Sequence, residues 1–535
     1  MTGTRRIRRF GDSALVAQAD SPREAHLLAG SVKASKWPGV QDVVVGYRSV
    51  TVLTDPRQID PKELIRELAS LSPTAQTERS RRTLTVPVAF DGPDLEEVAR
   101  LSGNTQRGVV EDLTGCKLEA AFLGFAPGFA YLVGLPGSLG GIPRRSTPRA
   151  VVEPGSVALG GGFAAIYPNR SPGGWQIVGR TNLEMFDPDT PPFALLQPGD
   201  VVHLVESDIP RTGRTEGDAR RAPLRCTAPR GAEVVTAGFM SLVEDGGRKG
   251  FASIGVPRAG AADPLGMRLA NRLVGNTDDA AVIEATALGP SLRFDAEARV
   301  CVVGDADVSV EDRSVPANTV VPLAPGQQLA VGRITKGLRA YVGLDGGVEV
   351  PEVLGSRSSD TLSGLGCGPL RAGDAIGMGP PGLARGWLDG APPSLDKRFL
   401  RVVLGPDEFD EPQIRRMTGA GYEIGGESDR VGLRLAGDKI EPRTHGIESR
   451  ATVTGAVQVP SDGAPIVLLC DHATVGGYPV VATVITADLG ILGQLRSGDH
   501  VRFAVVSQEE ARNALAEQER TLDARVRGWY PSRTE

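Results

Sequence analysis

Three stretches of this 535-residue chain repeat one pattern. Leu196-Gln-Pro-Gly-Asp-Val-Val-His-Leu, Leu370-Arg-Ala-Gly-Asp-Ala-Ile-Gly-Met and Leu495-Arg-Ser-Gly-Asp-His-Val-Arg-Phe each set a Gly-Asp turn before a short strand. A second echo pairs Ser171-Pro-Gly-Gly-Trp-Gln-Ile-Val with Thr474-Val-Gly-Gly-Tyr-Pro-Val-Val. In both of these copies the Gly-Gly-aromatic element precedes the Gly-Asp element by a little over twenty residues. A repeat of this kind requires one supersecondary unit to be built more than once. Short apolar runs between Gly and Pro turns favour barrels or sandwiches over a doubly wound sheet. The expected fold is mainly β, with three barrel-like units ending near 206, 379 and 506.

The remaining punctuation divides the chain further. A small α+β module is expected over 1–80, with strands at Val43–Val45 and Ser49–Leu53. Asp60-Pro61 opens a helix, capped by the Asp, that buries Leu64, Leu68 and Leu71. A polar hinge over 76–82 leads to a first barrel over 81–206. A linker over 207–224, a second barrel over 225–379, a linker over 380–398 and a third barrel over 399–506 follow. Within them, Asp94 to Leu101 forms a helix stopped by Gly103, and Asp263-Pro264 starts one closed by Gly275. In the tail over 507–535, Ser507 and Glu510 form a capping box on a helix whose charged faces suit the surface or a partner contact.

Composition excludes several classes. The formal charge of −6 is too mild for nucleic acid or an anionic membrane as main partner. Five cysteines, odd in number and without a Cys-x-x-Cys pair, argue against a disulfide framework or zinc knuckle. Ala120 to Pro143 carries no charge and has the length to span a bilayer. Its many Gly and Pro residues would leave backbone groups unsatisfied in lipid, so it reads as turns and strands. The N-terminal arginines lack the apolar run of a signal peptide, and a cytoplasmic protein is expected.

The same uncharged segment begins the most suggestive stretch, Phe122 to Thr181. Aromatics between Gly and Pro, such as Tyr131 and Trp175, make rigid pocket walls. Arg144, Arg145 and Arg149 lie between the two motifs and suit an anionic or amide ligand. In the second half Asp471-His-Ala-Thr-Val-Gly-Gly-Tyr is the richest polar cluster, with His472 able to shuttle a proton and Asp471 to orient it. An ordinary turn satisfying its own backbone is the competing explanation. Ser428-Asp429-Arg430 and Gln458 are weaker candidates. Asp245-Gly-Gly-Arg-Lys-Gly-Phe reads as a structural turn rather than a phosphate loop. Ser356, Ser358 and Ser359 also read as a turn rather than as nucleophiles. The five histidines are scattered, and no metal site is expected.

Gly124-Phe-Ala-Pro-Gly-Phe-Ala-Tyr-Leu, Pro143-Arg-Arg-Ser-Thr-Pro-Arg, Pro154-Gly-Ser-Val-Ala and the Ser171 motif resemble the B subunit of bacterial ATP-dependent 5-oxoprolinase. Val243-Glu-Asp-Gly-Gly-Arg, Gly255-Val-Pro-Arg-Ala-Gly-Ala-Ala-Asp-Pro, Asn271-Arg-Leu-Val-Gly-Asn, Gly355-Ser-Arg-Ser and the Asp471 motif resemble its C subunit. Together the halves are similar to the carboxyltransferase region of urea carboxylase. The resemblance implies three cyclophilin-like barrels, one in the first half and two in the second, pairing across a shared cleft. It implies ATP, with Mg, as co-substrate, and as partner a separate A subunit of 5-oxoprolinase; it also allows a homo-oligomer. The implied chemistry is phosphorylation of a lactam oxygen followed by hydrolysis to glutamate. Arg144, Arg149 and Arg180 are then the groups expected to stabilise charge. Tyr131 and Trp175 serve as walls, Asp471 and His472 serve proton transfer, and Thr474 and Tyr478 contact ligand. One departure stands out: Leu113-Thr114-Gly115 occupies the place where many relatives carry a His. None of the six methionines neighbours a Lys, so the chain carries no biotinyl-lysine motif. A biotin-dependent carboxyltransferase fed by another chain, or a regulatory pair related to a kinase inhibitor and its antagonist, are the rival functions.

Overall fold

Four antiparallel strands open the chain, in the order Ile7–Phe10, Ala14–Gln18, Ser49–Thr54, Val40–Val45. Helices Pro22–Ser35 and Pro61–Ser70 pack on this sheet. The computed structural model describes residues 5–72, 81–209, 222–383, 385–389, 399–444 and 446–527. The expected hinge and both linkers therefore lie largely outside the described residues. Ser21 and Asp60 cap the two helices by accepting from the N–H groups of Glu24 and Lys62. Leu64 and Leu68 are buried as expected, whereas Leu71 lies just past the helix end and is half-buried.

A seven-stranded sheet follows, ordered Gln176–Arg180, Ser156–Gly160, Phe163–Ile166, Ala130–Val133, Leu118–Leu123, Val201–Glu206, Thr83–Val88. Its ends meet where Ala89 and Arg180 exchange two N–H···O bonds of 2.9 Å, which curls the sheet into a barrel. The uncharged segment thus supplies two of its strands. No helix among the described residues is long and apolar enough to cross a membrane. Leu113 lies on the helix Gln106–Gly115 and is fully buried in this barrel's apolar core.

The third sheet has ten strands, dominated by the paired Ala298–Val310 and Gln328–Leu344. Helix Pro264–Val274 lies against both; Asp263 caps it and Gly275 ends it at φ 80°. A closed seven-stranded barrel completes the fold, running Phe399–Leu404, Val480–Val484, Ala456–Gln458, Ile466–Leu468, Gly432–Ala436, Tyr422–Ile424, His500–Val505.

The Gly-Asp repeat is one turn built three times. Gly199, Gly373 and Gly498 have φ of 85°, 86° and 85°, a region that favours glycine. The following Asp200, Asp374 and Asp499 accept from the N–H three residues earlier, on Gln197, Arg371 and Arg496, at 3.0, 2.8 and 2.8 Å. In the first and last barrels the next strand pairs in parallel with the opening strand of its own barrel. In the second, Ala375–Met378 instead pairs antiparallel with Gly231–Thr236, so the copies share the turn but not the closure.

The C-terminal helix Gln508–Arg525 has the expected capping box, but it is not a free surface helix. Ala511, Leu515 and Leu522 are buried, and Glu519 forms an ion pair of 2.6 Å with Arg268. Gln508 donates to the Gly11 carbonyl, and Val526–Arg527 pairs with Trp387–Leu388. The helix thereby ties the N-terminal module to the ten-stranded sheet and the closed barrel.

Candidate functional site

The two halves meet over the loop that joins Leu118–Leu123 to Ala130–Val133. Phe125 sits at φ 68° while the Ala126 N–H donates to the Gly124 carbonyl at 2.8 Å, a γ-turn with a left-handed centre. For a residue other than glycine this conformation stores roughly 1–3 kcal/mol, and such strain persists only when neighbours hold it. The neighbours come from the second half. A Cβ on Gly124 would lie 2.3 Å from Val475 Cγ2, and one on Gly255 would lie 2.1 Å from the Ala126 carbonyl oxygen. Tyr47 N–H donates to the Ser449 carbonyl at 2.8 Å, and Asp42 accepts from the N–H groups of Gly250 and Ala252 at 3.1 and 2.9 Å. One apolar cluster joins these parts, running from Val43, Val50 and Val52 through the aromatics to Ala252, Ala451 and Val475.

Tyr131 and Trp175 belong to that cluster rather than to an open wall. Tyr131 stacks on Phe122 at 4.3 Å and is 5% exposed, and burial pushes its hydroxyl up to about 12. Trp175 lies edge-on to Phe129 and Tyr131, with the exposed Arg144 over its ring at 5.7 Å. The other arginines are committed. Arg149 and Arg145 reach Asp94 at 2.7 and 2.9 Å, and Asp94 also accepts from the Ile177 N–H at 2.7 Å. Arg180 pairs with Asp91 at 3.1 Å and donates to the Ile209 carbonyl at 2.6 Å.

The Arg149 clamp has a double in the third barrel. Arg450 reaches Asp407 at 2.8 Å, and Asp407 accepts from the Val480 N–H at 2.8 Å. Each Arg stands opposite the first Gly of a Gly-Gly-aromatic element, in two-stranded ribbons pairing Arg149–Val152 with Ser171–Gly173 and Arg450–Ala451 with Val475–Gly476. The second Gly carbonyls, on Gly174 and Gly477, accept from the N–H groups of Arg145 and Ile447 at 2.7 and 3.2 Å. The sequence echo is therefore a repeated piece of scaffold, and Arg149 holds it together. The hydroxyls that open the two elements, Ser171 Oγ and Thr474 Oγ1, are both buried without a hydrogen-bond partner.

Asp471 and His472 occupy different environments. Asp471 is fully buried, and its carboxylate accepts from Arg430 Nε and Nη2 at 3.0 and 3.1 Å. It also accepts from the Thr361 N–H and hydroxyl, at 3.0 and 2.6 Å. These partners are remote in sequence, so the motif is not a turn satisfying its own backbone. Arg430 extends the network by bonding Glu284, which accepts from Arg339 Nε at 3.0 Å and Tyr341 OH at 2.9 Å. Burial opposes ionisation of Glu284, but Arg430 and Arg339 outweigh it and hold its carboxyl below the usual range. Glu244 lies 3.2 Å from Arg430 Nη2, yet neither of its oxygens accepts an aligned hydrogen bond. The neighbouring Ser358 hydroxyl gives its proton to Asp245 at 2.6 Å, and burial pushes the Glu244 carboxyl well up. Ser356 likewise bonds Asp245 at 2.6 Å, so these serines serve a buried lock rather than nucleophilic attack.

His472 is half-buried. Its Nδ1 lies 2.8 Å from the Ala473 carbonyl oxygen and 3.0 Å from Thr452 Oγ1, and Thr452 itself bonds that carbonyl. A carbonyl only accepts, so Nδ1 carries the proton and Nε2 keeps its lone pair. Burial pushes the imidazolium down, which keeps the ring neutral. Thr474 adjoins the Gly124 loop, while Tyr478 is 43% exposed at the ribbon's end. The motif thus brings Thr474 to the seam between halves, with His472 two residues before it, whereas Arg149 and Arg180 belong to the first barrel's framework. Sequence reasoning missed Glu284, Arg339 and Tyr341. Their signal was a charged or phenolic residue inside apolar strands, Val282–Thr286 and Gln328–Leu344. No group of three metal-ligating side chains occurs among the described residues.

The barrel-like β-sheets that meet at this seam are matched by models of a carboxyltransferase domain. Residues 5–196 match the model of carboxyltransferase domain, subdomain C and D, and residues 254–505 match that of subdomain A and B. The second half is 33% identical to the C subunit of 5-oxoprolinase from Escherichia coli K12, over 54% of this chain and 96% of that protein. The first is 34% identical to the B subunit of 5-oxoprolinase from Escherichia coli O157:H7, over 37% of this chain and 93% of that protein. The chain belongs to the family of the 5-oxoprolinase B and C subunits, and it carries both in one polypeptide. The urea amidolyase of Lachancea kluyveri is 32% identical over 54% of this chain, which spans only 18% of that enzyme. The solved structure of TTHA0988 superposes with a TM-score of 0.81 at 32% identity, covering 93% of this chain and all of that one.

Proposed function

We propose that this chain is the fused B/C component of an ATP-dependent 5-oxoprolinase that opens 5-oxoproline to glutamate together with a separate A subunit. The observation that carries the proposal is the order of the two matches. A match to nearly all of the B subunit is followed by one to nearly all of the C subunit, and the two halves pack on each other through one apolar cluster. Apart from the exposed Arg144, the basic residues of the two Gly-rich segments are already occupied. Arg145, Arg149 and Arg180 are paired with carboxylates, Arg248 donates to the Val353 and Ser358 carbonyls, and Lys249 pairs with Asp279. They do not fit a triphosphate cradle, so the nucleotide is assigned to the A subunit, and no step on this chain is routed through it.

On this chain His472 Nε2 is the proton acceptor for the water that attacks the lactam carbon. Asp471, engaged by Arg430 and Thr361, positions the His472 loop instead of taking a proton. Thr474 Oγ1, buried and unpartnered, is the hydrogen-bonding contact for the substrate amide. The chain alone is expected to be nearly inactive. Mixing it with the A subunit, 5-oxoproline and ATP should release glutamate and ADP in equal amounts. Carboxyl transfer from a biotinylated carrier, with no lactam opening under any cognate A subunit, would overturn the proposal in favour of a urea amidolyase-like role.

A further inference from the structure

The two equivalent ribbons differ in one respect: one is covered and the other is bare. In the third barrel the hairpin joining Val40–Val45 to Ser49–Thr54 lies on the ribbon. Gly46 permits the approach, since a Cβ there would lie 2.5 Å from the Ser449 carbonyl oxygen. The Tyr47 N–H donates to that same carbonyl, and Arg48 pairs with Glu448 at 2.9 Å. Ala451 is consequently 1% exposed. In the first barrel the matching ribbon exposes Ala150 and Pro172, and Val151 is 39% exposed. In the Arg149/Arg450 register Thr147 stands where the covered copy carries Glu448, and the flank before it carries the exposed Arg144 and half-buried Arg145.

From this internal comparison we infer that the ribbon Arg149–Val152/Ser171–Gly173 is a docking surface for a β-hairpin tip of the separate A subunit. The covered copy specifies the occupant. It is a glycine-containing turn that approaches closely and donates a backbone N–H to a ribbon carbonyl. The charge is reversed relative to Arg48, so the tip should carry an acidic residue toward Arg144. Apolar contact comes from Ala150 and Val151, which a soluble chain gains by covering. The assignment of this partner rests on the proposed function.

The test is hydrogen exchange on the full chain with and without the purified A subunit, together with binding titrations of Val151→Glu and Ala150→Glu. Both positions are exposed, so the variants should fold. The expected results are slowed exchange over 149–152 and 171–173 when the A subunit is added, and at least a tenfold loss of affinity in each variant. Undiminished binding by both variants overturns the docking surface and leaves the proposed function standing. Exchange that slows only as the isolated chain's own concentration rises also overturns it, because a second copy then covers the ribbon. Absence of binding by the unaltered chain overturns both the docking surface and the proposed function.

Discussion

Replacing Arg430 by Met would remove the guanidinium that bonds Asp471 and Glu284 and lies beside Glu244. All three carboxyls are 0% exposed, so no water compensates them. Removing one partner of a buried ion pair costs about 3–5 kcal/mol at neutral pH. The pH dependence sharpens the expectation. In the unaltered chain Glu284 has a lowered folded pKa, so its stabilisation is in place above the ordinary carboxylate range and is lost only in stronger acid. Glu244 has a raised folded pKa, and stability rises as pH falls through it. In the variant Arg339 is the guanidinium that still bonds the cluster, and at least one further carboxyl takes up a proton. The stability difference should then shrink on acidification by about 1.4 kcal/mol per pH unit for each extra proton bound. Carboxyls outside the cluster, such as Asp12 and Asp200, contribute equally to both proteins and cancel. Native-state hydrogen exchange on the strands Gly432–Ala436 and Ile466–Leu468, from about pH 7.5 to about 5.5, reads the local stability. A difference under about 1 kcal/mol, or one that grows as pH falls, would refute the claim that Arg430 neutralises these carboxyls.

Gly124→Ala should strain the seam, since its Cβ would lie 2.3 Å from Val475 Cγ2; overpacking of this kind costs about 1–3 kcal/mol. Adding Val475→Gly, which also removes the Cβ that would lie 2.5 Å away, should restore part of the loss in urea unfolding, and equal unfolding of single and double variants would contradict the contact. Nitrogen-detected NMR of the histidines should find His472 protonated at Nδ1 and still mainly neutral at pH 6.5, because its pKa is lowered by burial. With the A subunit present, His472→Gln should lower kcat by about 10²–10⁴-fold, with less change in KM. Asp407→Asn should speed hydrogen exchange at Val475–Gly476, as Asp94→Asn should at Ser171–Gly173, because each Asp clamps the equivalent ribbon. A charged hydrogen bond of this type contributes about 1.5–3 kcal/mol, and a change in only one ribbon would deny their equivalence.

What was legible in the sequence was local. Asp60-Pro61, Asp263-Pro264 and the Ser507/Glu510 box start helices where expected, because a cap is satisfied within three residues. The Gly-Asp turn was legible for the same reason, as a glycine at positive φ followed by an aspartate closing on the N–H three residues back. The pairing of Arg149 was not legible, because a clamp and an anion site use the same residue type. Only the position of Asp94, 55 residues away, distinguishes them. The Arg430 network was harder still. Its partner Glu284 is 146 residues distant, and nothing short of the packed sheets states which buried charge meets which.

The contacts of Gly124 with Val475 and of Tyr47 with Ser449 join parts that the bacterial relatives make as separate polypeptides. A covalent connection turns that encounter from a bimolecular into a unimolecular one. The seam is then insensitive to dilution, and its halves are held at one-to-one stoichiometry however strongly the gene is expressed. A substitution that loosens the seam lowers the fraction of closed molecules without releasing a free half. Damage of that kind would be hidden in a gel-filtration profile and visible in turnover.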